Sequence, residues 1–93
     1  MDHPLIKKMK YTFSKHAIEQ IERRNISRTV IDEVISHPEN IIKHDNCVKV
    51  FQKVIDDSKN KYLYRVFVNI CKKSALIITV YKTSKIEKYE NKI

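Results

Sequence analysis

The chain has 93 residues, 42% hydrophobic and 32% charged, enough for one domain with a single small core, too apolar for disorder and too polar for a membrane-embedded protein. Lys+Arg 19 against Asp+Glu 11 gives a formal net charge of +8, which implies attraction to a polyanion: nucleic acid, an acidic protein or an anionic surface. The absence of glycine excludes Gly-rich phosphate loops, dinucleotide fingerprints and Walker motifs, so no nucleotide cofactor held by them is expected.

The leading MDHPLIKKMK has no apolar core of signal-peptide length, and no run approaches the roughly 18 apolar residues of a spanning helix. A cytoplasmic single domain over 1–93 is expected, frayed at 1–7 and 90–93. From Lys8 to Phe13, Met9, Tyr11 and Phe13 alternate with Lys8, Lys10 and Thr12, as in a short strand. Ser14 reads as a helix N-cap, with Phe13 and Ile18 as its hydrophobic staple. The helix runs to about Arg24 and ends at Asn25, which tolerates a left-handed backbone. Ala17, Ile18 and Ile21 face inward; His16, Gln20 and Arg23 form the opposite stripe, with Arg24 on its flank. His16 has two readings: an exposed polar residue of the first turn, or a catalytic or RNA-contacting histidine. Ser27 is a second N-cap, Val30, Ile31, Val34 and Ile35 form a buried stripe, and Pro38 ends that helix.

Beyond Glu39 the chain becomes extended through Ile41 and Ile42 to the turn-prone His44, Asp45 and Asn46. Cys47 to Ile55 reads as a strand with Val48, Val50 and Val54 on one face, and Asp56 to Asn60 as the next turn. The stretch KYLYRVFVNICKKSALIITVYKTSK, Lys61 to Lys85, then reads as a β-hairpin split by Lys72, Lys73 and Ser74. One face carries Tyr64, Val66, Val68 and Ile70 with Leu76, Ile78 and Val80, and is the expected core. Facing both sets the same way pairs Val66 with Val80 and Val68 with Ile78 across a three- or five-residue loop. That register sets Arg65 opposite Tyr81 and Phe67 opposite Thr79 on the other face. This second face is either an ordinary solvated sheet surface or a place to bind phosphate. After Thr83, Ile86 and Tyr89 suit one or two helical turns packed inward, or a frayed tail.

Cys47 and Cys71 lie 24 apart without a metal or redox motif, so reduced structural thiols are expected. His3, His16, His37 and His44 lack metal-ligand spacing, and no metal is expected. The fold expected is α+β: two N-terminal helices packed on one face of a three- to four-stranded antiparallel sheet.

Several stretches resemble a known family: FSKHAIEQIERRNIS at Phe13–Ser27, HPE at His37–Glu39, YRVFV at Tyr64–Val68 and ITVYKTSKIEKY at Ile78–Tyr89. They resemble the bacterial family catalogued as domain of unknown function 4258, over about Tyr11 to Tyr89. Where such sequences usually carry Arg-Gly before the second helix, this chain has Arg24-Asn25, and Asn is the next-best residue for a left-handed cap. In architecture that family is similar to the RelE-like and barnase–EndoU–colicin group of small metal-independent ribonucleases, many of them toxins. The resemblance implies a RelE-like sheet with a site of His16, Arg24, Arg65, Thr79, Tyr81 and Lys85; the expected catalytic set is His16, Arg65, Tyr81 and Lys85, and Arg24 and Thr79, joined by Arg23 and Thr83, are the expected substrate contacts.

The function expected on this footing is a metal-independent endoribonuclease of toxin type, without cofactor. His16 would move protons, Arg24, Arg65 and Lys85 would hold the phosphate, and Tyr81 would stack on a base or donate a hydrogen bond. Its partners would be RNA and an acidic antitoxin protein, with no membrane and no DNA specificity. The competing expectation is a non-catalytic basic module that docks on RNA or on an acidic protein through the same face.

Overall fold

Strand β1 (Tyr11–Phe13) leads into helices α1 (Lys15–Arg23) and α2 (Arg28–Ser36), and strands β2 (Asn40–Lys43), β3 (Val48–Asp57), β4 (Asn60–Asn69) and β5 (Ala75–Thr83) follow, closed by the short helix α3 (Ile86–Glu90). This computed structural model describes residues 10–57 and 59–90, the side chains of Asp57, Tyr89 and Glu90 excepted. The expectations for Lys8, Met9, the two chain ends beyond Glu90 and before Lys10, and the Tyr89 side chain lie outside the described residues.

Local chemistry accounts for the helix ends. The Ser14 hydroxyl accepts the Ala17 N–H at 3.0 Å, and the Ser27 hydroxyl accepts the Thr29 N–H at 3.1 Å, each satisfying an otherwise orphaned donor of a first turn. At the end of α1, Asn25 takes φ 53°. Its N–H donates to Glu22 O at 3.3 Å and Ile26 N–H donates to Ile21 O at 2.9 Å, the two bonds of a Schellman cap. Ile21 and Ile26 are both buried beside it, so the same turn that ends α1 aims α2 back at the sheet.

The sheet corrects the expected architecture. It has five strands in the order β1-β5-β4-β3-β2 and is mixed: β1 runs parallel to β5, Tyr11 beside Ala75 and Phe13 beside Ile77, while the other pairs are antiparallel. The three- to four-stranded antiparallel, RelE-like layout with two N-terminal helices is therefore not the fold of this chain. The physical reason is that β1 precedes both helices. The α1–α2 excursion then carries the chain back over the sheet, so β1 becomes an edge strand on the far side of β5 instead of a lead-in.

The β4–β5 register also departs from strict alternation. Val66 faces Val80, Arg65 faces Tyr81 and Phe67 faces Thr79 as expected, but a bulge between Phe67 and Val68 pairs Val68 with Ile77 in place of Ile78. Ile78 is the extra residue, and beyond it the faces of β5 exchange. Ala75 and Ile77 therefore join Val80 in the core, in place of Leu76 and Ile78, and Ile70 is left 39% exposed. Ser14 stabilises the bulge: its N–H donates to Ile77 O at 2.9 Å and its hydroxyl donates to Ile78 O at 3.3 Å.

Ala17, Ile21, Ile31, Val34 and Ile35 pack on Phe51, Tyr64, Val66, Val68, Ile77 and Val80 to form the main core. The five-residue turn expected over Asp56 to Asn60 is not kept, because the β3–β4 ladder continues through Asp56–Lys61 to the Asp57–Asn60 pair. Cys47 and Cys71 are joined as a disulfide, with Cα atoms 5.2 Å apart. This corrects the expectation of reduced thiols: the pairing of Val48 with Asn69 brings the two loops together, which a spacing of 24 residues does not reveal. No helix among the described residues is long and apolar enough to cross a membrane.

Candidate functional site

On the sheet face away from α1 and α2, side chains of β3, β4 and β5 alternate into two zones. One is closed. Val48, Val50, Gln52 and Leu63 are buried there, and beyond Leu63, at the Val54–Lys61 end, Ile86 and Glu87 of α3 border a cavity with Val54, Lys61 and Glu39. The other is partly open and holds Arg65, Phe67, Thr79, Tyr81 and Thr83, all half-buried.

Arg65 is fixed by its neighbours. Its Nε–H donates to Gln52 Oε1 at 3.0 Å, and Gln52 is only 1% exposed, so the carboxamide is a rigid acceptor. The guanidinium carbon lies 5.4 Å from the centre of the Phe67 ring, within cation–π range. His44 meets the same ring edge-on at 5.6 Å. The turn carrying His44 is held by Asp45, whose Oδ1 accepts the N–H groups of Cys47 and Val48, each at 2.8 Å. Those two bonds hold the Asp45 carboxyl below its ordinary value.

Across the ladder, Tyr81 faces Arg65, and Arg24 reaches over the edge of β5 to place its guanidinium carbon 5.9 Å from the Tyr81 ring centre. Arg24 gets there because α1 lies along that edge. Beyond β1 the N–H of Val80 has no strand neighbour, and Gln20 Oε1 accepts it at 2.9 Å. The Schellman turn then delivers Arg24 beside Tyr81. The result is a band, Arg24–Tyr81–Arg65–Phe67–His44, of permanently charged guanidinium groups set against aromatic rings. Such a band offers forked donors to anionic oxygens and ring faces to a planar group.

The structure thus brings together Arg24, Arg65 and Tyr81, with Thr79 and Thr83 on the same face. Lys85 lies just past the end of β5, its N–H bonded to Thr83 Oγ1 at 3.0 Å. Arg23 and His16 are exposed on α1, and neither side chain makes a hydrogen bond, ion pair or ring contact among the described residues. Sequence reasoning missed His44 and Gln52. Gln52 had a signal, a polar residue alternating with Val50 and Val54 on an otherwise apolar strand face. His44 had none, since only the β2–β3 turn and the β3–β4 register set it against Phe67. Among the described residues there is no group of three or more His, Cys, Asp or Glu side chains placed to hold a metal ion.

A mixed five-stranded sheet with a helical corner on one face and a cationic, aromatic band on the other is the class of α+β domain defined here. A family model described as Domain of unknown function (DUF4258) matches residues 13–82, more than half of the chain. The chain belongs to this family. No curated protein and no solved structure matches it.

Proposed function

We propose that this protein is a cytoplasmic, metal-independent endoribonuclease of toxin type, which holds single-stranded RNA on the band around Tyr81. The observation that carries the reading is the flanking of one partly open ring by two arginines, Arg24 at 5.9 Å and Arg65 as cross-strand partner. An unstacked base lies on such a ring while its phosphates meet guanidinium groups on either side. The net charge of +8 draws the polyanion in and suits neutralisation by an acidic antitoxin. In the cleavage step the ribose 2′-hydroxyl loses its proton to His16, the resulting oxygen attacks the adjacent phosphorus as the bond to the 5′-oxygen breaks, and that oxygen takes a proton from water. Arg24, Arg65 and Lys85 stabilise the charge that develops on the phosphate.

A second reading has its own observation. The His16 side chain has no hydrogen-bond, ion-pair or ring partner among the described residues, so no such partner orients it for proton transfer, and a non-catalytic RNA-binding module uses the same band without it. Labelled RNA incubated with the protein in chelator separates the two. Cleavage lost in His16→Ala supports the enzyme, and cleavage lost only in His44→Ala moves the proton-transfer role to the histidine beside Phe67. Intact RNA at every protein concentration, with binding that weakens at about −0.7 in log K per phosphate neutralised as log salt rises, leaves the module. A flat salt response overturns both.

A further inference from the structure

The corner between α1 and α2 borders a cavity of about 300 Å³ over the helix-bearing face of the sheet, at the lower end of the range for small-molecule sites. Val30 and Ile55 form its apolar walls, and Asn25, Ser27, Tyr64, Lys82 and Asp56 its polar ones. Tyr64 is only 6% exposed as a residue, and its hydroxyl, which bonds no described residue, is not among the fully buried polar atoms, so it opens to solvent at the cavity, where a ligand oxygen can take the place of water. Its cross-strand partner is Lys82. The Lys82 ammonium sits 4.5 Å from the Tyr62 ring centre and 5.8 Å from that of Tyr64. It forms no ion pair among the described residues. Ser27 uses its oxygen to accept the Thr29 N–H, which leaves the hydroxyl proton for another acceptor, and the positive end of the nine-residue α2 adjoins it.

We propose that this cavity binds a phosphomonoester, with Lys82 as the cation and the Tyr64 and Ser27 hydroxyls as donors. The chemistry matches in number as well as sign: a phosphate group presents three strong acceptor oxygens, and the cavity gathers an ammonium, two hydroxyls and the Asn25 amide. Asp56 stands on the same rim and is exposed, so water screens its repulsion. The site does not rest on the RNA reading above, because Lys82 and Tyr64 face the opposite side of the sheet from Tyr81 and Arg65. A free nucleoside monophosphate and the terminal phosphate of an RNA chain share this chemistry.

Amide NMR titration of the full chain with inorganic phosphate, uridine 5′-monophosphate and uridine tests the proposal. Saturable shifts at Ser27, Tyr64 and Lys82 are expected with the two phosphates in the millimolar range and not with uridine. Lys82→Met weakens binding about tenfold, and Tyr64→Phe, which removes only the hydroxyl, weakens it several-fold without lowering Tm. Asp56→Asn tightens it. Tighter binding of a 5′-phosphorylated dinucleotide than of the mononucleotide supports an RNA end as the source, and equal binding supports a free nucleotide. Absence of shifts with millimolar phosphate overturns the site, as does unchanged affinity in both Lys82→Met and Tyr64→Phe, or weaker binding in Asp56→Asn.

Discussion

Gln20 Oε1 accepts the Val80 N–H at 2.9 Å, which makes a helix side chain the substitute for a missing strand. β1 pairs only with residues 75–77 of β5, so the edge beyond it presents an unpaired donor beside the buried Val80. Gln20→Leu should cost about 1–3 kcal/mol, the scale of a stranded buried donor. Gln20→Glu keeps an acceptor and should cost less. Urea melts of the two variants check the order, and equal losses would show that the bond contributes nothing beyond packing.

Arg65 and Val66 are neighbours on opposite faces, and the two should fail differently. Arg65→Met removes the partner of the buried Gln52 carboxamide, so about 1–3 kcal/mol of stability should go together with RNA affinity. Val66→Asp places an unpaired carboxylate at a position that is 0% exposed and should unfold the domain. Circular dichroism melts read both; a folded Val66→Asp protein would reverse the two faces. For binding, Arg24→Met is the cleaner probe, since Arg24 is exposed, and it should weaken RNA without moving Tm.

The Cys47–Cys71 bond closes a loop of sequence separation 24, for which loop-closure entropy corresponds to roughly 3 kcal/mol. Reduction, or the Cys47→Ala, Cys71→Ala double variant, should lower the urea midpoint and steepen the slope, because the unfolded chain freed of the cross-link exposes more surface. Thiol counting on freshly purified protein under denaturant shows whether the pair is oxidised in the cell that makes it. Identical midpoints for oxidised and reduced chains would mean that the loops are held by the β3–β4 ladder alone.

Asp45 links stability to pH. The N–H groups of Cys47 and Val48 lower its pKa from 3.8, so the unfolded chain binds more protons than the native one in the acid range. Its contribution is therefore complete above the ordinary value and is lost as pH falls through the lower native one. Asp45→Ala should melt below the wild type at neutral pH, and the gap should close on acidification below about pH 3.8. A gap that persists undiminished to about pH 2 would assign the effect to turn geometry instead of charge.

Much of the local structure was legible because its causes are local. Ser14 and Ser27 as caps, Asn25 as the left-handed end of α1, Pro38 as a stop, and the pairing of Val66 with Val80 and Arg65 with Tyr81 all follow from side-chain chemistry and the two-residue period of a strand. What needed tertiary structure were the relations between distant segments. The parallel seat of β1 beside β5 depends on how α1 and α2 return the chain. The bulge at Ile78 depends on Ser14 bonding two successive carbonyls from another element. The disulfide and the contact of His44 with Phe67 depend on which loops the β3–β4 ladder brings to the same end. No window of sequence contains both partners of any of these contacts, and each arises only once the sheet has closed.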